Sequence, residues 1–311
     1  MRCPFLRETQ VKYCQAASIK KMIAHMASDT VHERCSSIDF VQCPFFKQQS
    51  KDHSDQKCCP YLQDSMMQYC GASSVTKYVP YSESSIIRCG NDAHRYCELY
   101  LSFASPENNE IDKEAVVDGI YLPTNLSYSA NHMWLDQTEE GNCHIGVDAF
   151  LTQAIRHIDA LNYVTVKGTA HPTLVLTVNG VDLQLIFPIP IEITGTNSYL
   201  RSNVQKIISH PYSSGWLFEG KIHEQNSIEQ STSHPTHLLK DKDAVKWMRQ
   251  EVRHLDEFIH SQIIPRHTGE QQVMMNGGTV HPEFLAQLSK QEALNIFNEF
   301  FSPFARWRVN A

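Results

Sequence analysis

Eight of the ten cysteines in this 311-residue chain follow one spacing rule that occurs twice. In each copy ten residues separate the first two cysteines, 20 or 18 residues separate the next two, and seven separate the last two. The first copy contains Cys3, Cys14, Cys35 and Cys43, and the second contains Cys59, Cys70, Cys89 and Cys97. Four thiolates per copy would satisfy either a tetrahedral zinc site or an iron–sulfur cluster.

The residues around these cysteines are also repeated. "CPFLRETQVKYCQAAS" aligns with "CPYLQDSMMQYCGASS", and "RCSSIDFVQC" aligns with "RCGNDAHRYC". Such self-similarity indicates an internal duplication, with copies at about residues 3–45 and 59–100. The segments between the first two cysteines of each copy lack Gly and Pro after the opening turn. We therefore predict a small, mostly helical metal-binding module in tandem, within residues 1–117.

Three interpretations of the thiols remain at this point. Buried small apolar residues are one, since cysteine is often buried, but a repeated fourfold spacing favours metal. Zinc ribbons usually present Cys-x2-Cys pairs, and the chain has none. Cysteine followed by proline is a feature of bacterial ferredoxin motifs, so two iron–sulfur centres are favoured over zinc. Cys58 and Cys143 lie outside the repeat, and Cys58 could replace its neighbour Cys59 as a ligand.

Composition excludes several classes of protein. The chain has a net charge of −7, 20% charged and 41% hydrophobic residues, which is the balance of a soluble globular protein without a basic surface for nucleic acid. No apolar run approaches the ~20 residues that span a bilayer, so no membrane partner is expected. The N-terminus lacks the apolar core of a signal peptide, which predicts a cytoplasmic protein. In that reducing compartment metal ligands are more plausible than disulfides.

From about residue 118 the pattern becomes that of β-strands. "LVLTVNGVDLQLIF" alternates apolar and polar residues on both sides of Asn179-Gly180, which predicts a β-hairpin with a type I′ turn. Before it, "VDAFLTQAIRHIDAL" predicts an amphipathic helix. Its apolar positions are Phe150, Ile155, Ile158 and Leu161. These signals alone would predict an all-β core with one helix.

Four stretches of this region resemble, in order, landmarks of a known family. They are "HMWL" at 132–135, "GVDAFLTQAIRHIDALNYV" from 146, "IFPIPIEITGTN" ending at 197 and "HPYSSGWL" ending at 217. The family is the H protein of the glycine cleavage system. The resemblance implies a barrel-sandwich hybrid over residues 118–222, in which the family carries lipoate on a lysine at a hairpin tip. Trp134 and Trp216 are then expected in the core, with His132 and His144 as ordinary polar or packing residues.

The resemblance fails at the residue that carries the cofactor. Alignment on Pro188 places the family's lysine at Gly180. The only lysines between residues 118 and 221 are Lys167, Lys206 and Lys221, and none lies in the hairpin. We therefore predict an H-protein-like domain that carries no lipoate.

The last region, 223–311, is predicted to contain a linker and helices. The polar stretch 222–237 includes His234 and His237, which could bind a metal but are more often solvated. A helix is predicted from the apolar stripe Val245, Met248, Val252, Leu255 and Ile259. Another begins at the capping box of Ser289 and Glu292. Its apolar face comprises Leu294, Phe297, Phe300 and Phe301, followed by Phe304 and Trp307. That face should pack on the chain's own core or, failing that, on a partner.

The sequence as a whole predicts an α+β multidomain protein with a helical cysteine-rich module, a barrel-sandwich hybrid and a helical C-terminal tail. We find no nucleophile elbow, phosphate-binding glycine loop or zincin motif, which favours a non-catalytic protein. The predicted function is a metalloprotein for electron transfer or sensing, whose H-like domain docks a protein partner. The alternative is a zinc-stabilised scaffold or adaptor related to the H protein.

Overall fold

The computed structural model describes residues 2–16, 21–23, 34–49, 56–75, 77–79, 88–103, 116–155, 157–222, 238–263 and 288–302. The chain divides into two compact units, Met1–His94 and Arg95–Ala311. The H-like region and the C-terminal helices therefore belong to the same unit. The domain boundaries at 117 and 222 stay predictions.

The first unit contains a four-stranded sheet in the order β2-β1-β3-β4. Its strands are β1 (Leu6–Cys14), β2 (Lys21–Ile23), β3 (Leu62–Cys70) and β4 (Lys77–Val79). Short 3-10 helices cover Arg34–Ser36, Ile38–Gln42 and Arg88–Gly90, and helix α1 covers Pro44–Gln49. A further 3-10 helix, Asp92–Tyr96, spans the boundary between the units. The two copies meet at the centre of the sheet, where β1 and β3 run antiparallel.

The prediction of a helical cysteine module is wrong. The segments between the first two cysteines of each copy are the strands β1 and β3, paired residue for residue from Leu6 opposite Cys70 to Cys14 opposite Leu62. Absence of Gly and Pro suits a strand as well as a helix. The hydrogen bonds that decide between them come from the other copy, which lies far away in the sequence. Local sequence therefore could not reveal this pairing.

The second unit begins with helix α2 (Glu98–Phe103) and continues as two main sheets. A three-stranded sheet has the order β10-β12-β13, and a six-stranded sheet has the order β11-β14-β15-β9-β8-β7. The strands are β5 (Val116–Val117), β6 (Ile120–Tyr121), β7 (Ser127–Tyr128), β8 (Met133–Gln137), β9 (Asn142–Val147), β10 (Ala160–Tyr163), β11 (Gly168–Ala170), β12 (Thr173–Val178), β13 (Val181–Ile186), β14 (Ile191–Thr196) and β15 (Phe218–Lys221). Helices α3 (Phe150–Ala154) and α4 (Lys206–Ser209) and a 3-10 helix (Ser198–Arg201) connect them. The inner faces of both sheets contribute to one hydrophobic core.

The predicted hairpin is confirmed. Strands β12 and β13 pair antiparallel up to Val178 opposite Val181, and the turn residues Asn179 and Gly180 have φ values of +50° and +69°. On β12, Leu174, Leu176 and Val178 are buried, as the alternation predicts. The Asn-Gly pair forms the turn because these residues tolerate positive φ.

The predicted helix before the hairpin is much shorter than expected. Helix α3 ends at Ala154, and Ile155 has extended backbone angles. Residues 160–163 instead form β10, which pairs with β12. Ile155, Ile158 and Leu161 are buried all the same. These apolar residues are therefore buried from an extended segment and not from a helix. The pairing of β10 with β12 outweighs a helical pattern of only a few residues.

The two C-terminal helices are confirmed. Helix α5 covers Asp241–Phe258 and continues into a π-helical turn at Ile259–Ile263, and helix α6 covers Lys290–Phe300 with the predicted capping box at its start. Phe297, Phe300 and Phe301 are buried in the same core as the two sheets, so the chain itself covers this aromatic face. None of the helices in the described ranges is both long and apolar enough to cross a membrane. His234, His237, Phe304 and Trp307 lie outside the described residues.

Candidate functional site

The tip of the β12–β13 hairpin is the position to which the H-protein resemblance assigns a lysine. The backbone N–H of Gly180 donates a hydrogen bond to Oδ2 of Asp159 at 3.0 Å. The side-chain amide of Asn179 donates to the carbonyl of Leu288 at 2.9 Å. A Cβ on Gly180 would lie 3.5 Å from Nζ of Lys290, the first residue of α6. The residues that begin the last helix therefore contact the tip, although Gly180 itself is exposed.

The three lysines of the H-like region lie elsewhere. Lys206, on α4, forms an ion pair with Glu98 in which Nζ is 2.7 Å from both carboxylate oxygens. Lys221 ends β15, where it pairs with Asn142 of β9. Lys167 is exposed and precedes β11. None of these amines belongs to the hairpin tip.

The first two landmark stretches meet in space. Trp134 on β8 is fully buried, and its Nε1–H donates to the carbonyls of Val147 at 3.0 Å and Pro211 at 3.2 Å. Gly146 on β9 lies directly under the indole, so that any Cβ there would overlap the ring. A glycine is needed at this position for steric reasons alone. The landmark residues His-x-Trp and Gly thus form one packing unit.

The other two landmark stretches are joined by Asn197. Its side-chain amide donates hydrogen bonds of 2.9 Å to the carbonyls of Ser214 and Trp216. The amide is buried, and it satisfies backbone groups of the loop that leads into β15. Trp216 is buried as expected. Asn197 therefore connects these two stretches and helps to hold the fold together.

A buried polar cluster joins α5 to this region. His132 has a φ of +61°, and its Nδ1 lies 3.0 Å from Oδ2 of Asp148, while its Nε2 lies 3.5 Å from Oε2 of Glu251. The imidazole stacks on Phe150 with a centroid distance of 3.9 Å and lies 4.8 Å from Trp247. All three polar side chains are at least 94% buried. Because it is enclosed, the cluster acts as a structural link.

The charge state of His132 follows from its neighbours. Burial lowers the pKa of the imidazole, but the carboxylates of Asp148 and Glu251 outweigh burial and raise the pKa above its ordinary value. Burial also raises the pKa of Asp148, partly offset by His132. The sequence offered one signal for this cluster. Glu251 is a carboxylate next to Val252 in the apolar stripe of α5, where it is buried.

The cysteines of the repeat occupy equivalent positions in the two copies. Cys14 ends β1 and Cys70 ends β3, Cys35 and Cys89 lie in 3-10 helices, and Cys43 and Cys97 immediately precede α1 and α2. Cys97 belongs to the second unit and the other seven belong to the first. Outside the repeat, Cys58 is exposed, whereas Cys143 lies in the core of the second unit. Burial raises the pKa of Cys143 to about 12, which suits a packing residue.

The sheet of the first unit separates Cys3 from Cys14, although both belong to the first copy of the repeat. Strand β1 runs from Leu6 to Cys14, which at ~3.3 Å per residue holds its ends about 26 Å apart, with Cys3 beyond the first end. Cys3 and Cys14 therefore cannot bind one ion in this fold, and the grouping of ligands copy by copy is wrong. As placed, the described residues contain no group of three or more His, Cys, Asp or Glu side chains that could hold a metal ion. The eight cysteines stay candidates.

Comparison with known proteins places the similarity in the middle of the chain. No family model matches. The glycine cleavage system H protein of Mycolicibacterium vanbaalenii is 28% identical over 104 residues, which is 32% of this chain and 77% of that protein. The H protein of Hydrogenovibrio crunogenus is 23% identical over 125 residues, or 39% and 92% of the two chains. A crystal structure of the H protein from Mycobacterium marinum covers 42% of this chain and 99% of its own, with 20% identity and a TM-score of 0.34. The middle region is thus H-protein-like.

Proposed function

We propose that this chain is a non-catalytic metalloprotein whose H-protein-like domain docks a protein partner without carrying lipoate. The observation that carries the proposal is the hairpin tip. By the resemblance Gly180 takes the position of the family's lysine, and the side-chain amide of Asn179 donates a hydrogen bond to the carbonyl of Leu288, just before α6. A lipoyl arm is attached through a lysine amine, and no residue of this tip supplies one.

Intact-mass measurement tests the loss of the carrier function. The chain is co-expressed with a lipoate ligase and lipoate, beside the H protein of Mycolicibacterium vanbaalenii as the positive control. We expect the control to gain one lipoyl group and this chain to keep its unmodified mass. A lipoyl increment on any residue would contradict the proposal. Lys290 and Lys167 are the residues to inspect first, because Lys290 lies beside the tip and Lys167 is exposed.

The cysteine module is proposed to hold two four-thiolate centres. Support comes from the repeated spacing and from the size of the apolar core in the first unit, which has the small cluster of Phe40, Phe46 and Cys59. A core of this size supplies little stability, and small domains usually add a metal or a disulfide. Iron–sulfur clusters would serve electron transfer or sensing, and zinc would make the module a scaffold. Metal analysis and visible absorption of anaerobically purified chain distinguish the two, because zinc centres are colourless.

The absence of catalysis is proposed from the enclosure of the polar cluster in the H-like unit. His132, Asp148 and Glu251 are the residue types of an acid–base site, yet the imidazole stacks between aromatic rings and the groups are closed to solvent. A general base has to reach the proton that it removes. These residues instead connect α5 to the β region.

A protein partner is proposed because the relatives are components of the glycine cleavage system. The other proteins of that system from the same organism are the first partners to test, by calorimetric titration with the purified chain. Saturable binding to one of them would support docking. Absence of binding to all of them would contradict a role in that system.

A further inference from the structure

The two copies of the cysteine module exchange contacts across the β1–β3 pair. The backbone N–H of Cys59 donates to the carbonyl of Cys35 at 2.9 Å, and that of Cys3 donates to the carbonyl of Cys89 at 2.9 Å. In both places the first cysteine of one copy bonds to the third cysteine of the other. The same hydrogen bond between the copies therefore occurs twice, once in each direction.

The second cysteine of each copy follows the same exchange. The carbonyl of Cys59 accepts from the N–H of Leu62, and Leu62 is the register partner of Cys14. Equivalently, the carbonyl of Cys3 accepts from the N–H of Leu6, which lies opposite Cys70. An antiparallel pair places the start of one strand beside the end of the other. Each end of the sheet thus gathers cysteines from both copies.

Side-chain surroundings agree with the backbone at the first of these ends. Cys59 is buried with Phe40 and Phe46, and Cys35 and Cys43 pack against the same cluster.

We propose that metal binding brings together Cys14, Cys35 and Cys43 from the first copy and Cys59 from the second, whose side chains as placed do not form a metal site, while Cys3 belongs with Cys70 and Cys89. The inference rests on the proposed metal-binding function and specifies its ligands. The four thiolates of the first set suit zinc or an iron–sulfur cluster, the three of the second set suit a zinc ion that takes one further ligand, and metal binding requires loss of the thiol protons. In this arrangement metal binding ties the two copies together, so that neither copy alone completes a centre.

Two double variants, both of which contain Cys14→Ser, distinguish metal centres whose ligands come from both copies from centres whose ligands all come from one copy. The full-length chain is reconstituted anaerobically, once with Zn²⁺ and once with Fe²⁺ and sulfide, and metal per chain is measured. In the exchanged arrangement Cys14→Ser with Cys59→Ser damages one centre and halves the metal content. Cys3→Ser with Cys14→Ser damages both and removes nearly all of it. The reverse order would overturn the exchanged set.

Cys58→Ser is the control, since Cys58 is exposed and adjoins the proposed ligand. We expect it to keep the full metal content, and loss of one centre in this variant would overturn the assignment of Cys59. A wild-type chain that takes up neither zinc nor iron would overturn the proposed metal function, and the ligand set with it. The reversed order of the double variants would overturn the ligand set alone.

Disulfide trapping of the metal-free wild-type chain gives a second measurement that needs no substitution. Diamide oxidises neighbouring thiols to disulfides, two electrons and two protons per bond, and peptide mapping identifies the pairs. We expect Cys59 to be joined to Cys14, Cys35 or Cys43, and Cys3 to Cys70 or Cys89. A link between Cys3 and Cys14, or between Cys59 and Cys70, would overturn the proposal.

Discussion

The side-chain amide of Asn179 donates a 2.9 Å hydrogen bond to the backbone carbonyl of Leu288, which joins the hairpin tip to the start of the last helix. The two residues are 109 positions apart in the sequence. Lys290 follows two residues after Leu288 and places its ammonium beside Gly180. The start of the C-terminal helix therefore contacts the turn to which the H-protein resemblance assigns a lysine, although Gly180 itself is exposed.

Asn179→Gly should loosen the start of α6 without disturbing the turn. Glycine accepts the φ of +50° but has no amide to donate, and loss of one hydrogen bond costs about 0.5–1.5 kcal/mol. Faster hydrogen exchange is expected in the amides that begin α6. Thr177→Val is the control, because it removes the hydrogen bond to Asp182 within the same hairpin. Unchanged exchange in Asn179→Gly would mean that the bond does not hold the helix.

Gly180→Lys should fold but be less stable by about 1 kcal/mol, because a side chain is unfavourable at a φ of +69°. Gly180→Gln carries the same backbone cost without the charge. The difference in unfolding free energy between the two variants measures repulsion from Lys290, and it should shrink as salt is added. Urea titration at low and high salt gives both quantities. A lysine variant as stable as the wild type would contradict the backbone argument.

Phe300→Ala should destabilise the second unit by about 3–5 kcal/mol, the usual cost of removing a buried phenyl ring. Phe300 is 1% exposed and contacts Phe150 and Phe258. Phe103→Ala is the matched control, since Phe103 is 61% exposed and such changes usually stay within about 0.5 kcal/mol. Thermal unfolding compares them. Equal melting temperatures would show that α6 does not contribute to the core.

His132 should make the second unit less stable as pH rises. Its pKa is raised in the folded state by Asp148 and Glu251, so the folded protein binds more protons than the unfolded one. That stabilisation is fully present below the unfolded pKa of ~6.5, and it is lost as pH rises through the raised value. We expect the difference in unfolding free energy between wild type and His132→Gln to decrease from pH 6 to pH 9. A difference that grows over this range would contradict a raised pKa.

Local patterns were sufficient wherever neighbouring residues decide the structure. Asn179-Gly180 predicted the hairpin because positive φ is an intrinsic preference of these residues, and the capping box of Ser289 and Glu292 predicted the start of α6. The collinear landmarks predicted the H-like region, which the sequence comparisons confirm. The same alignment assigns Gly180 to the position of the family's lysine, which stays a prediction.

Predictions failed where the partner of a segment lies far away in the sequence. The segment ending at Cys14 was predicted to be helical and is a strand, because its hydrogen bonds come from the second copy. The helix predicted before the hairpin gives way at Ile155 because β10 pairs with β12. The spacing of apolar residues within each segment does not reveal either of these strand pairings.

The sequence by itself determined the inventory: two copies of a cysteine repeat, an H-like region without its lysine, and two amphipathic helices. Tertiary structure decided which of these meet. It placed Cys59 against Cys35, because antiparallel strands bring opposite ends of two copies together. It placed His132 between Asp148 and Glu251, and Lys290 over Gly180, because one core gathers both sheets and both C-terminal helices. The spacing of residues along the chain identifies the candidate functional and core residues, and only the packing of the folded chain shows which of them are neighbours.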